Sequence, residues 1–340
     1  MIEALRRRFG RTGRSVRLGI GDDAAIVRVP PGHDLLLTTD LLVEGIHFDL
    51  STASYEDVGY KAGVANLSDI AAMGGLPHHL LVAAAVPADR SPSHIQDFYR
   101  GLMKACGKHG VELVGGDTSA SRHGLFLSIM LTGSIQAGRA LRRDGAKAGD
   151  LLYVTGTLGD SLAGLTLLGH HAKRGAASRQ PARVRRNLAS LLVERHLHPI
   201  PRIAIGRLLA SRRLATAAID LSDGLSGDLA HLCEQSRVGA EVAPSALPLS
   251  GELLAYAAAH RADPTRLALT GGEDYELLFT GSPRNHAKVM RLAPETGCRI
   301  SCIGTITAQR GLRLRDSSGA LRALPILSYR HFRGHRTRVP

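Results

Sequence analysis

Carboxylates flanked by glycines or hydroxyls, each beside an apolar run, recur from near the start of the chain to well into its last third. They occur in Gly19-Ile20-Gly21-Asp22-Asp23-Ala24, Thr38-Thr39-Asp40 and Asn66-Leu67-Ser68-Asp69, then in Gly115-Gly116-Asp117-Thr118, Asp220-Leu221-Ser222-Asp223-Gly224 and Gly271-Gly272-Glu273-Asp274-Tyr275. Acids so far apart can serve one site only if strand ends and helix ends from both halves of the chain meet. The apolar patterning agrees. Strands are expected over 35–39, 80–86, 111–114 and 125–133, with helices over 54–73 and 92–109 between them. After a Gly/Lys/Asp turn at 145–150 the alternation restarts. Strands are expected at 151–155, 216–219, 275–280, 299–307 and 312–315, and helices at 156–168, 188–196, 201–211, 224–235 and 283–296. We place a domain boundary near 140–150. An N-terminal domain (1–145) then precedes a C-terminal α/β domain (146–335), both layered helix on sheet in an α/β (α+β) arrangement.

Each motif has a chemical reading. Asp22-Asp23 places like charges side by side in a glycine turn, which needs a cation or partner between them. Thr38-Thr39-Asp40 puts two hydroxyls and a carboxylate at the end of a run read as a buried strand, a set of hard oxygens suited to Mg²⁺, although a helix cap would use the same residues. Asp69 stands in the last turn of its helix, where the helix dipole disfavours a carboxylate, and shares a face with Asn66. A charge kept against its apolar neighbours and the dipole points to a ligand. Gly115-Gly116-Asp117 is read as a turn past the end of a strand, where backbone N–H groups can approach phosphate. Asp220 and Asp223 flank Ser222 between a strand and a helix N-terminus, a corner for metal and phosphate; Asp223 could also be a plain N-cap. Arg142 and Arg143 are candidates for pairing with a phosphate.

Together these acids match phosphoryl transfer assisted by several metal ions. The absences agree: no GxxxxGK[ST] loop, no GxGxxG after the first strand and no protein-kinase signature occurs. With 340 residues, 44 % hydrophobic, there is enough chain for two cores, built without Trp. The formal charge of +13 is concentrated in residues 6–17, 139–147, 172–186, 202–213 and 330–338, without interleaved aromatics. An anionic small-molecule substrate is therefore favoured over nucleic acid. Four cysteines in no metal-binding spacing read as free thiols, with Cys298 and Cys302 in a buried strand-like run. No signal core or membrane-spanning run is present in the sequence, so a cytoplasmic protein without membrane contact is expected.

The motifs GIGDDAA, TTDLLVEGIHF, YKAGVANLSDIAAMG, LVGGDT, DLSDGLSGDL and LTGGEDYELLFT occur in that order. In this the chain closely resembles the thiamine-monophosphate kinases, members of the superfamily named for aminoimidazole ribonucleotide synthetase, over nearly its whole length. The resemblance implies a two-domain aminoimidazole ribonucleotide synthetase-like fold whose N-terminal domain binds ATP and magnesium and pairs with its twin in a dimeric β-barrel. It implies transfer of phosphate from ATP to thiamine monophosphate, giving thiamine diphosphate, with several Mg²⁺ ions and ATP as co-substrate. It implies magnesium ligation by Asp23, Thr38, Thr39, Asp40, Asp69, Asp117, Asp220 and Asp223, of which Asp69, Asp117, Asp220 and Asp223 are the catalytic acids. It further implies ATP contacts from Gly116, Asp117, Arg143 and Ser222, and substrate contacts from His47, Glu273 and Tyr329. Two rivals remain. One is another ATP-dependent synthetase of the superfamily, against whose selenide form the lack of a Cys before Cys106 counts. The other is a nucleotide-responsive RNA-binding protein without catalysis.

Overall fold

The structure is a computed structural model that describes residue 7 and residues 16–18, 26–174 and 183–328. A short hairpin pairs β1 (Val16–Leu18) with β2 (Ile26–Val27). The first large unit holds β3 (His33–Val43), α1 (Tyr55–Ala72), β4 (Leu76–Pro87), α2 (Pro92–Cys106), β5 (Glu112–Ser121) and β6 (Phe126–Gln136). Its strands form one sheet in the order β3-β6-β4-β5, antiparallel except for the parallel pair β4/β5.

Local chemistry explains α1. Ser54 caps its N-terminus, Asp57 completes a capping box, and Glu56 and Asp57 suit the positive end of the helix. Gly74, at φ +76°, ends it. The helix lies against α2 at a spacing only glycine permits. A Cβ on Gly59 would stand 2.0 Å from the Phe98 carbonyl oxygen, and one on Gly101 would stand 1.8 Å from that of Glu56.

Both helices cover one face of the sheet. On the other, Leu35, Leu37, Leu41 and Phe126 remain 47, 59, 56 and 39 % exposed. The run 35–39 is thus half exposed, and the strand runs on through Asp40 to Val43. Strand alternation sends odd-numbered residues of β3 outward and Leu36, Thr38, Asp40 and Leu42 inward. Among the described residues this sheet does not close on itself, since β3 and β5 are open edges.

The second unit follows with β7 (Leu151–Thr155), α3 (Asp160–Arg174), α4 (Arg183–Leu197), α5 (Ile203–Ser211), β8 (Ala217–Asp220), α6 (Leu225–Ser236) and β9 (Gly239–Val242). Next come α7 (Gly251–His260), α8 (Pro264–Thr270), β10 (Leu277–Gly281), the short α9 (His286–Met290) and α10 (Leu292–Thr296), then β11 (Ile300–Thr307), β12 (Gly311–Arg315) and β13 (Leu321–Ala323). Its sheet has seven strands in the order β13-β12-β9-β11-β7-β10-β8. Alternate residues of the central strands feed two cores. Leu152, Val154, Ile219 and Leu278 pack with α6, whereas Tyr153, Ala218, Leu277 and Phe279 join the core that also contains Leu67, Ile70 and Ala71 of α1.

That shared core bolts the halves together. Each fully buried Leu, Ile or Phe contributes about 1.5–3 kcal/mol. α5 wedges between the units so closely that a Cβ on Gly206 would lie 2.0 Å from the Ala71 carbonyl oxygen. The end of α1 is thereby set beside the end of β8, which places Asp69 near Asp220. Among the described residues no helix is long and apolar enough to cross a membrane.

Candidate active site

Three carboxylates converge from three elements. Asp40 comes from the inner face of β3, Asp69 from the last turn of α1, and Asp220 from the end of β8, where it is 4 % exposed. Burial, then the charge of Asp69, pushes the Asp40 carboxyl up to about 7. Burial, followed by repulsion from Asp69 and Asp40, does the same to Asp220, also to about 7. Asp69 is raised by burial, against the opposing pull of a hydrogen bond donated by Thr38 Oγ1 and of the Arg143 charge. Acids so arranged hold protons near neutral pH or take a cation. One turn before Asp69, Asn66 is fully buried; its Nδ2 donates to the Ala62 carbonyl at 3.2 Å, while its Oδ1 has no partner.

Among the described residues no three His, Cys, Asp or Glu form a ready-made metal cage. The donors nevertheless fit magnesium. They are hard oxygens, they repel one another, and Mg²⁺ characteristically takes one or two carboxylates and completes its shell with water and phosphate.

Of these acids Asp40 lines a cavity of about 880 Å³, while Asp69 and Asp220 stand close enough to one another for repulsion to be felt but do not form its wall. Asp40, Ser222 and Asp223 line one part of it, and His47, Lys61 and Glu273 another. The loop carrying Ser222 and Asp223 is tied down by Asp228, which accepts from the backbone N–H of Asp223 at 3.2 Å and of Gly224 at 3.1 Å. Burial and the neighbouring Asp220 push the Asp228 carboxyl up to about 8. Gly224, not Asp223, is the N-cap of α6, and Asp223 lines the cavity.

The Gly271–Tyr275 motif is a tight loop before β10, and Glu273 and Tyr275 adopt φ of +62° and +50°. Left-handed backbone at two non-glycine residues is costly and persists only where surroundings dictate it. Here the Glu273 N–H donates to the Ser222 carbonyl at 2.8 Å and that of Tyr275 to Leu221 at 2.9 Å. Asp274, facing away from the cavity, accepts from the Gly159 and Ser161 N–H groups at 2.7 and 3.1 Å at the start of α3. Glu273 remains on the cavity lining. Burial alone would raise its carboxyl, but the Lys61 ammonium, at 2.6 Å, holds it below its ordinary value. His47 Nδ1 accepts the Val43 N–H at 3.0 Å, which leaves the ring proton on Nε2.

Not every expected residue joins this group. The Thr39 side chain stands on the opposite face of β3 from Thr38 and Asp40, 3.5 Å from Ser128 Oγ. Gly115-Gly116-Asp117 is not a turn past a strand end but lies within β5. A bulge beside Leu113 and the φ of +152° at Gly116 let the strand continue. Asp117 pairs with Ala83 on the outer, exposed face of the sheet, away from Asp40. Arg143 is exposed, though its charge is felt at Asp69 and Asp220. Asp23 and Tyr329 lie outside the described residues; Leu327 and Ser328, just before Tyr329, do line the cavity. Of the thiols, Cys106 and Cys233 are buried, while Cys298 and Cys302 are half-buried rather than buried. Sequence reasoning missed Lys61, His196 and Ser161, whose only signal was a lysine inside an apolar helical stretch, and Asp228.

The chain matches the family models for AIR synthase related protein, the N-terminal domain over residues 21–135 and the C-terminal domain over 147–317. It is 41 % identical over 293 residues to the thiamine-monophosphate kinase of Escherichia coli strain K12, covering 86 % of this chain and 85 % of that one. The crystal structure of thiamine-monophosphate kinase from Stenotrophomonas maltophilia K279a superposes with a TM-score of 0.80 at 35 % identity, covering 92 % of this chain and 94 % of that one. A solved complex of AaThiL with AMPPCP and TMP matches at a TM-score of 0.77 and 35 % identity, over 97 % of this chain and 96 % of that one.

Proposed function

The chain belongs to the thiamine-monophosphate kinase family of AIR synthase related proteins, and from that premise we propose that it phosphorylates thiamine monophosphate with ATP by direct in-line transfer, assisted by several magnesium ions. The observation that carries this reading is the convergence of Asp40, Asp69 and Asp220 from both halves of the chain, with Asp40 on the lining of the cavity. In such a transfer an oxygen of the acceptor phosphate attacks the γ-phosphorus of ATP, the bond to the β–γ bridging oxygen breaks, and ADP leaves with that electron pair. Magnesium, when bound, would neutralise the charge that two phosphate groups bring together.

The chain's own residues divide the remaining work. Asp40, Asp69 and Asp220 would hold the metal, with Asp23, Asp117, Asp223, Thr38 and the backbone of Thr39 as further ligands of the family pattern. The Thr38 hydroxyl orients Asp69 by donating to it. Ser222 and Gly116 would meet the nucleotide, and Arg143, poised over Asp69 and Asp220, would pair with its phosphates. His47 and Glu273 would contact the acceptor, and Tyr329 would stack on its ring. Asp117 keeps its place in this set on the resemblance alone. From the outer face it would reach the phosphates only through an apposed twin or a shift of β5.

A homodimer belongs to the same proposal. The exposed apolar row Leu35, Leu37 and Leu41, flanked by Phe126, suits a second copy of the sheet, and two such sheets could close the shared barrel. We assign residues 1–145 to ATP and metal binding and to dimerisation, and residues 146–335 to the C-terminal α/β domain. A cytoplasmic enzyme with no nucleic-acid partner fits the substrates. The test is ADP release by the purified protein with ATP and Mg²⁺, with and without thiamine monophosphate; no ADP in its presence sinks the proposal.

A further inference from the structure

Lys61 stands where a lysine is costly. It lies in mid-helix between Tyr60 and Ala62, is 7 % exposed, and stands two turns before Asp69. Its Nζ donates to Glu273 Oε2 at 2.6 Å and lies 3.2 Å from His196 Nε2. An ammonium group can only donate, so His196 Nε2 must accept and the ring proton must sit on Nδ1. Nδ1 is 2.9 Å from Ser161 Oγ, which receives that proton's hydrogen bond. The line Glu273–Lys61–His196–Ser161 therefore has one consistent set of donors, with Lys61 donating to both Glu273 and His196 and His196 donating to Ser161, and it draws on α1, α3, α4 and the loop before β10. Its imidazole stays neutral: burial, reinforced by Lys61, brings His196 down to about 4.

A buried ion pair is a weak source of stability, because desolvation offsets much of the attraction. One whose carboxylate lines a cavity and sits on a left-handed backbone is better explained by what it presents to a ligand. We propose that Lys61, anchored by His196 and Ser161, is a positioning residue that fixes the Glu273 carboxylate to receive the N–H donors or cationic ring of the acceptor substrate. This rests on reading the cavity as the thiamine monophosphate pocket. Lys61 engages Oε2, so the carboxylate is held in a single orientation before substrate arrives, and little ordering is left for the binding step.

The test compares Lys61→Met, Lys61→Arg, Ser161→Ala, Glu273→Gln and the double variant Lys61→Met/Glu273→Gln. Removing one partner of a buried charge pair should raise KM for thiamine monophosphate about 30-fold in Lys61→Met, with KM for ATP changed less than about twofold. Lys61→Arg should recover most of the loss, and Ser161→Ala should raise the same KM about threefold. The double variant should be no worse than Glu273→Gln alone, since Lys61 acts only through that carboxylate. Losses that multiply in the double variant would make Lys61 a direct phosphate contact and overturn the proposal. So would equal rises in both KM values, or a Ser161→Ala enzyme with wild-type KM. If Lys61→Met does not fold, the neutral double variant, which leaves no unpaired buried charge, and Ser161→Ala decide the matter. Wild-type protein that does not use thiamine monophosphate at all would instead remove the pocket assignment itself.

Discussion

Replacing Asp40 with Asn should inactivate the magnesium-supplied enzyme and at the same time make the metal-free protein more stable. Burial and Asp69 raise its carboxyl from 3.8 to about 7. The folded pKa is therefore above the unfolded one. The stability tied to this group is fully present below about pH 4 and is lost as the pH rises through 7. A shift of about 3 units corresponds to about 4 kcal/mol at 1.36 kcal/mol per unit. Asp40 keeps some solvent contact, and discounting for it leaves about 2 kcal/mol. At a few degrees per kcal/mol for a chain of this size, Asp40→Asn should melt about 4 °C above wild type at pH 8 in EDTA. The gap should narrow at pH 5, where the wild-type carboxyl is already largely protonated in the fold. Mg²⁺ with a non-hydrolysable ATP analogue should stabilise wild type by about 2.7 kcal/mol at a hundredfold excess over Kd, and the variant by less. Thermal melts at both pH values read this directly. A variant that melts at or below wild type at pH 8 without metal would refute the idea that these acids are gathered at a cost to the empty fold.

The other expectations concern single positions. Asp69→Ala should abolish turnover while leaving circular dichroism and chromatographic behaviour unchanged; wild-type activity would mean that the convergence is not catalytic. Glu273→Ala should weaken thiamine monophosphate more than ATP in steady-state kinetics, and the reverse order would exchange the two subsites. Gly101→Ala must push apart α1 and α2, because its Cβ would stand 1.8 Å from the Glu56 carbonyl oxygen; a loss of about 1–3 kcal/mol in denaturant melts is expected. Leu37→Asp, on the exposed sheet face, should yield a monomer in sedimentation experiments, whereas an unchanged mass would move the dimer interface elsewhere.

What was legible from sequence was mostly local. Ser54, Asp57 and Gly74 mark both ends of α1 by capping chemistry alone, and the structure places Asp69 in the last turn as expected. The strand before Asp220 and the helix after Gly224 were equally plain. The Gly115-Gly116-Asp117 motif misled because glycines read as a turn, whereas a bulge and one mirror-image backbone conformation absorb them within a strand. Residues 35–39 misled because leucines on an outward face look the same in sequence as buried ones. β9, α7 and α8 were not anticipated, being short elements with little period to detect. The Lys61 network was out of reach for another reason. Its partners lie 135 and 212 residues away, and no local pattern carries that information.

In the proposed reaction, acids from both halves of the chain gather to pass one phosphoryl group directly between two phosphates. Single-turnover reaction with ATP labelled in its γ-phosphoryl group measures this most directly. The label should appear in thiamine diphosphate in a one-to-one ratio with ADP, and it should stay in ATP when thiamine monophosphate is left out. Label recovered as inorganic phosphate, or ADP formed without thiamine diphosphate, would contradict it.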